Sequence, residues 1–312
     1  YLDSKGEVYF SFEVFDKARI NEISKIISVD NVKGETVFAY ANRSEFEEFL
    51  KLCIPFTVLP HPGDVNFDLN MKDSPAELME WDSYPTYEAY VTMMNQFAAS
   101  YPNLCRIVNI GTTVQGRQIL FAVLSDNVNT PEAEPKVMYT SSMHGDEITG
   151  YVLMLRLIDS LLTTYGTNSR ITNLVNNVEI WINPLANPDG TYRSGNSTVY
   201  GATRGNYNNY DLNRNFPDPI YGVNSNQQIE TSRFRTIADS NNFALVANFH
   251  GGTEVVNYPW DSWTNAYPDY RHHPDEVWYQ YISHLYADTC QANAPSNYMT
   301  GYDDGITNGG DW

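Results

Sequence analysis

The sequence is poor in cysteine, in positive charge and in long apolar runs, and each shortage excludes something. Cys53, Cys105 and Cys290 are the only cysteines in 312 residues, an odd number set far apart. No disulfide framework or Cys-rich metal site follows from that spacing, and at least one thiol is expected to be free and buried. Lys and Arg number 19 against 38 Asp and Glu, a formal net charge of −19 with a sequence pI near 4.5. Phosphate binding needs clustered cations, so no nucleic-acid partner is expected. No segment approaches the roughly 20 apolar residues of a membrane helix. The longest greasy stretch, 151–162, contains Arg156 and Asp159 and reads as a buried helix. An initiator Met and a signal stretch are also missing before Tyr1, so the start is expected to be a processed or trimmed end.

What is present fits a globular protein. Hydrophobic residues make up 42% and charged residues 18%, enough for one large domain or one large and one small. Residues 6–15 alternate like a strand, and 18–27 have helical periodicity. Two strands, 29–32 and 35–41, then meet at Lys33-Gly34. A helix over 44–53 opens with Ser44 as cap and Glu47 at the capping-box position. A strand over 55–59 completes the order β-α-β-β-α-β of a ferredoxin-like α+β domain, set at residues 1–62. A polar, Pro- and Asp-rich linker follows over 63–83.

From residue 84 to 312 strands and helices alternate. Strands are expected at 106–111, 118–125, 136–141, 178–183 and 244–249, and helices at 87–100, 147–163 and 227–240. This pattern predicts an α/β domain with a mixed central sheet and helices on both faces. Gly- and Asn-rich loops, above all 187–210, lie between the elements and are long enough to carry function.

His144 follows a strand and precedes a helix whose first turn is expected to hold Glu147. Alone, this H-x-x-E pair reads better as a capping His followed by a first-turn Glu that suits the helix dipole. His250 changes the balance, because it also ends a buried strand and enters a glycine turn, on the same rim of the sheet. Two imidazoles and a carboxylate are the ligand set of an open catalytic zinc site. The run Asp211-Leu212-Asn213-Arg214 adds a cation that needs an anionic partner. That partner is either Asp211 or the carboxylate of a substrate gripped by Arg214 with Asn213.

The stretches MHGDE, NPLANPDG, RGNYNNYDLNRNFPD, NFHGGTEVVNYPWD and DGITNGGDW, in this order, resemble the zinc metallocarboxypeptidases, the family of pancreatic carboxypeptidases A and B. The likeness covers about residues 84–312 and is greatest to the branch of carboxypeptidases N, E and D. It implies one zinc ion on His144, Glu147 and His250, with Asp211 orienting His144 through its other ring nitrogen. It further implies that Asn213 and Arg214 hold the substrate's terminal carboxylate and that Arg204 stabilises the oxyanion. Asp261 falls where that branch places an acid selecting C-terminal Lys or Arg.

The substrates so implied are the C-termini of peptides or proteins, and the branch implies a secreted or periplasmic protein. Asp146 departs from relatives, which often carry Arg or Asn there; an acid beside the metal should weaken contact with anionic residues upstream of the scissile bond. The family's general-base Glu would lie beyond Trp312, so the chain is expected to be a fragment. Glu254 and Glu230 make poor substitutes. A catalytically silent zinc- and peptide-binding module stands as the alternative. So does an amidohydrolase acting on γ-glutamyl, cell-wall peptide or N-acyl amino-acid bonds. The N-terminal domain resembles the pro-domain fold of pancreatic zymogens.

Overall fold

The computed structural model describes residues 1–64, 69–218, 222–261 and 272–309. They fall into two compact units, 1–216 with 226–251, and 217–225 with 252–312.

In the first unit, the N-terminal segment forms β1 (Glu7–Glu13), α1 (Lys17–Ile23), β2 (Ser28–Lys33), β3 (Thr36–Asn42), α2 (Arg43–Leu50) and β4 (Phe56–Val58). The sheet runs β2-β3-β1-β4 with every neighbour antiparallel, the topology that a β-α-β-β-α-β order gives. The alternation read from the sequence turns Phe10, Phe12, Val37 and Ala39 inward, where they pack with Phe49 of α2. The helix begins two residues earlier than Ser44 suggests. Asn42 is the cap, accepting from Glu45 N–H while Glu45 answers to Asn42 N–H. Asn is as good a cap as Ser, and the strand already ends there, so the chain turns at once.

Short strands β5 (Met71–Lys72) and β6 (Tyr84–Pro85) pair across the linker, and α3 (Tyr87–Ser100) follows as expected. The central sheet contains β7 (Cys105–Thr112), β8 (Gln118–Leu124), β9 (Lys136–Ser141), β10 (Glu179–Asn183) and β11 (Leu245–Phe249), in the order β11-β9-β10-β8-β7. Strands β9, β10 and β11 are parallel; β8 and β7 run antiparallel. Helices α4 (Thr149–Thr164), α5 (Ser169–Val175), α6 (Pro188–Thr191) and α7 (Ile229–Asn241) connect them.

Both faces of the sheet are covered. Leu120, Ala122 and Leu124 of β8 meet α3 and α4, whereas Ile119, Phe121 and Val123 meet Phe234 and Ile237 of α7. That is why β8 reads as a continuous apolar run. Cys105 is buried at the start of β7, but Cys53 is exposed, and all three thiols are free. Among the described residues no helix is long and apolar enough to cross a membrane.

The second unit contains β12 (Val256–Tyr258), α8 (Glu276–Asn293) and β13 (Ile306–Asn308), with β12 and β13 parallel. Its small core is Tyr258, Ala287, Met299 and Ile306.

Candidate metal centre

Strands β9 and β11 are parallel neighbours, and Ser141 pairs in register with Phe249. Both therefore end at one sheet edge, the carboxyl end where α/β sheets bind ligands. His250 is the next residue after β11; His144 stands three past the end of β9. Ser142 adopts a left-handed backbone (φ 54°), and its hydroxyl donates to the Glu147 carbonyl at 3.0 Å. That bond closes the 142–147 loop and carries Glu147 back towards His144. Glu147 sits before α4 rather than in its first turn, because the helix starts only at Thr149. Gly145 lies so close to the Gly190 and Thr191 backbone that a β-carbon there would overlap it.

His144 Nδ1 lies 2.8 Å from Glu147 Oε1, and His250 Nδ1 lies 2.8 Å from Glu147 Oε2. The two Nδ1 atoms are 3.1 Å apart. Tetrahedral zinc with bonds of about 2.0–2.1 Å spaces its ligand atoms by roughly 3.3 Å, so these three atoms need little movement to hold one ion. Two imidazole nitrogens converging with a carboxylate are a donor set that zinc prefers. The fit is good.

Behind this group the side chains are buried and polar. Asp211 Oδ1 is 3.1 Å from His144 Nε2 and accepts from Asn213 N–H at 2.8 Å. Arg204, only 4% exposed, donates its Nε to Asp211 Oδ2 at 3.0 Å and places Nη1 3.4 Å from Glu147 Oε1. Burial and the Arg204 cation push the His144 imidazolium down, but Asp211 and Glu147 outweigh them and hold it up at about 9. Burial works against an ionised Glu147, yet His144 and His250 hold it well below the usual carboxylate range. Asp211 is likewise held low, by His144 and Arg204, against its burial.

The structure thus brings His144, Glu147, His250, Asp211 and Arg204 together. Asn213 and Arg214 follow, both exposed, on a 3-10 turn that Asp211 caps. Among the described residues, the ion-pair partners of Asp211 are His144 and Arg204. Arg214 instead reaches the carbonyls of Asn213 and Val29. Asp261 belongs to the second unit, exposed just after β12, with its carboxylate against Gly309. Glu254, in the same unit, accepts from Met299 N–H at 3.2 Å. Glu230 is the second residue of α7 and is buried; Gln228 is the cap, and Glu230 accepts from Asn206 at 3.1 Å.

Several site residues carried no signal in the sequence, because they come from the N-terminal sheet. Ser28 of β2 donates to Asp211 Oδ2 and accepts from Arg204 Nε at 2.9 Å. Asp30 lies 3.5 Å from Arg204 Nη1, and Tyr40 of β3 lies beneath the guanidinium. Tyr40 also donates to Asp146 at 2.9 Å. Burial, with the Glu7 and Glu147 carboxylates nearby, lifts Asp146 to about 7. At neutral pH Asp146 is therefore about half protonated, and the negative charge expected beside His144 and Glu147 is reduced.

Glu7, His61 and Asp146 form a second His-and-carboxylate group. Here His61 Nδ1 accepts from Gly63 N–H at 3.0 Å, so Nε2 carries the proton and donates to Glu7 at 2.8 Å. Glu7 further accepts from Arg204 N–H and Gly205 N–H. Its oxygens are already occupied by donors, which makes this group a structural clasp.

Comparison with known proteins agrees with the geometry. The zinc carboxypeptidase family profile matches residues 90–312. Human carboxypeptidase D is 37% identical over 242 residues, 73% of this chain and 17% of that protein. Mouse carboxypeptidase M is 33% identical over 238 residues, 70% of this chain and 53% of that protein. The chain thus spans about half the length, or less, of these relatives. Among solved structures, a carboxypeptidase A from Helicoverpa armigera aligns with a TM-score of 0.69 at 21% identity, covering 93% of this chain and 79% of that one. The thrombin activatable fibrinolysis inhibitor gives 0.67 at 15% identity, covering 98% and 84%, and shares the fold. With the family profile matching residues 90–312 and relatives 33–37% identical over 70–73% of its length, the chain belongs to the zinc carboxypeptidase family.

Proposed function

We propose that the protein hydrolyses the C-terminal peptide bond of peptides or proteins, preferring C-terminal Lys or Arg. The convergence of His144 Nδ1, Glu147 and His250 Nδ1 within 3.1 Å of one another carries this reading. One zinc ion held there would supply a Lewis acid and a bound water acidified towards neutrality.

The chain's own groups do the rest. Asp211 would accept the His144 Nε2 proton and so leave Nδ1 to give its lone pair to the ion in place of its own proton. Arg204, fixed through Nε, presents Nη1 beside Glu147, where negative charge on a tetrahedral intermediate would be met. The exposed Asn213 and Arg214 offer a two-donor grip on a terminal carboxylate. Asp261 would read a basic side chain. An exported location rests on the resemblance alone.

The N-terminal sheet favours a further element of this reading. The Val29 carbonyl and the Asp30 carboxylate lie against Arg214 and Arg204, the donors a substrate would use. Residues 28–30 therefore restrain the site.

Peptides ending in Arg, Phe and Glu, offered with and without zinc to the full-length protein, test the proposal. Zinc-dependent release of Arg well ahead of Phe and Glu is expected. Equal release overturns the specificity, and no release from any of them supports the silent binding module. In the same assay Asp30→Ala should raise turnover several-fold; unchanged turnover removes the restraint.

A further inference from the structure

The strands that end at the ligands also place a side-chain amide behind one of them. Asn248 on β11 pairs in register with Thr140 on β9. Its amide Nδ2 lies 2.8 Å from His250 Nε2, and Thr140 Oγ1 donates to its Oδ1 at 2.9 Å. The opposite ring nitrogen, Nδ1, faces Glu147 and His144.

An imidazole that gives its Nδ1 lone pair to a cation carries its proton on Nε2. That proton needs an acceptor, and the Asn248 side chain is at hydrogen-bond distance. A half-turn of the amide exchanges oxygen for nitrogen with almost no change of shape. Nδ2 suits a bare Nε2, whereas Oδ1 suits Nε2–H. Thr140 can follow either state, since a hydroxyl both donates and accepts. Strand pairing fixes both residues relative to His250, so only the amide rotates.

We propose that Asn248, braced by Thr140, is a positioning residue that selects the metal-binding tautomer and ring orientation of His250. This rests on the reading of His144, Glu147 and His250 as zinc ligands. It makes the two histidines unequal: His144 is oriented by a carboxylate, Asp211, and His250 by a neutral amide. A carboxylate at 248 would only accept, and so would hold the metal-binding tautomer permanently.

The test is zinc affinity of this chain at neutral pH, measured by competition with a chromogenic chelator, alongside thermal unfolding of the metal-free forms. Asn248→Leu should weaken zinc binding 10- to 100-fold, as loss of such a partner does, with metal-free unfolding little changed. Asn248→Asp should bind zinc at least as tightly as the wild type, and Thr140→Val should lose less than tenfold. An Asn248→Leu chain with wild-type affinity overturns the inference alone, as does an Asp variant as weak as Leu. A wild-type chain that takes up no zinc overturns the ligand reading as well.

Discussion

The N-terminal module and the metal edge are both well-packed regions, but they are held by opposite means. In the module, Phe10, Phe12 and Phe49 pack with ring centroids 4.9–5.8 Å apart, joined by Phe46 and Phe56. Such burial is stabilising in proportion to area and nearly indifferent to direction. At the metal edge the buried groups are Arg204, Asp211, His144 and Glu147, whose worth depends on each donor finding its acceptor. Apolar packing forgives a change of shape; a charge network does not forgive a missing partner.

Substitutions of similar size should expose that contrast. Arg204→Met keeps the stem but leaves Asp211, Asp30 and Glu147 without their shared cation, so a loss of about 3–5 kcal/mol is expected. Arg204→Lys should recover little of it, because an ammonium cannot reach both Asp211 and Glu147 as the planar fork does. Phe49→Ala should cost about 3–5 kcal/mol through the cavity it leaves, yet Phe49→Leu less than about 1.5 kcal/mol. Urea unfolding of the four variants decides the matter. A Lys variant as stable as the wild type would erase the difference between the regions.

A smaller effect is expected from pH. Burial lifts Glu45 to about 7 from its ordinary 4.5, so the folded protein keeps a proton there that the unfolded chain has released. Stability should therefore fall as pH rises from about 4.5 to 7, by on the order of 1 kcal/mol once its partial exposure is allowed for. Glu45→Gln, which still accepts from Asn42 N–H, should flatten that slope. Denaturant midpoints at pH 4.5, 6 and 7.5 measure it, and an unchanged slope in the variant assigns the pH dependence elsewhere.

Much of the fold was legible because its signals are periodic. The alternation of 6–15 and the apolar run of 118–125 became β1 and β8 with small end errors. Boundaries set by capping were less clear. Ser44 and Asn42 are both good caps, and only the end of β3 chose between them. At the site, His144, Glu147 and His250 were named from strand ends and spacing, Asp211 and Arg204 from the family resemblance, and the five are found together. Ser28, Asp30 and Tyr40 were invisible, since more than a hundred residues separate each from the group it meets. Asn248 was likewise hidden, an ordinary polar residue in a strand until the pairing with Thr140 gave it a direction.

By itself the sequence determined the order of elements, the two-sided sheet and which side chains, His144, Glu147 and His250, would converge, because periodicity and motif spacing are local. The tertiary structure decided the hydrogen-bond partners. It paired Asp211 with His144 and Arg204 rather than with Arg214, set residues 28–30 against the arginines, and put an amide rather than a carboxylate behind His250. Hydrogen bonds and ion pairs act over a few ångströms in fixed directions, and no local pattern encodes which distant groups will meet at that range.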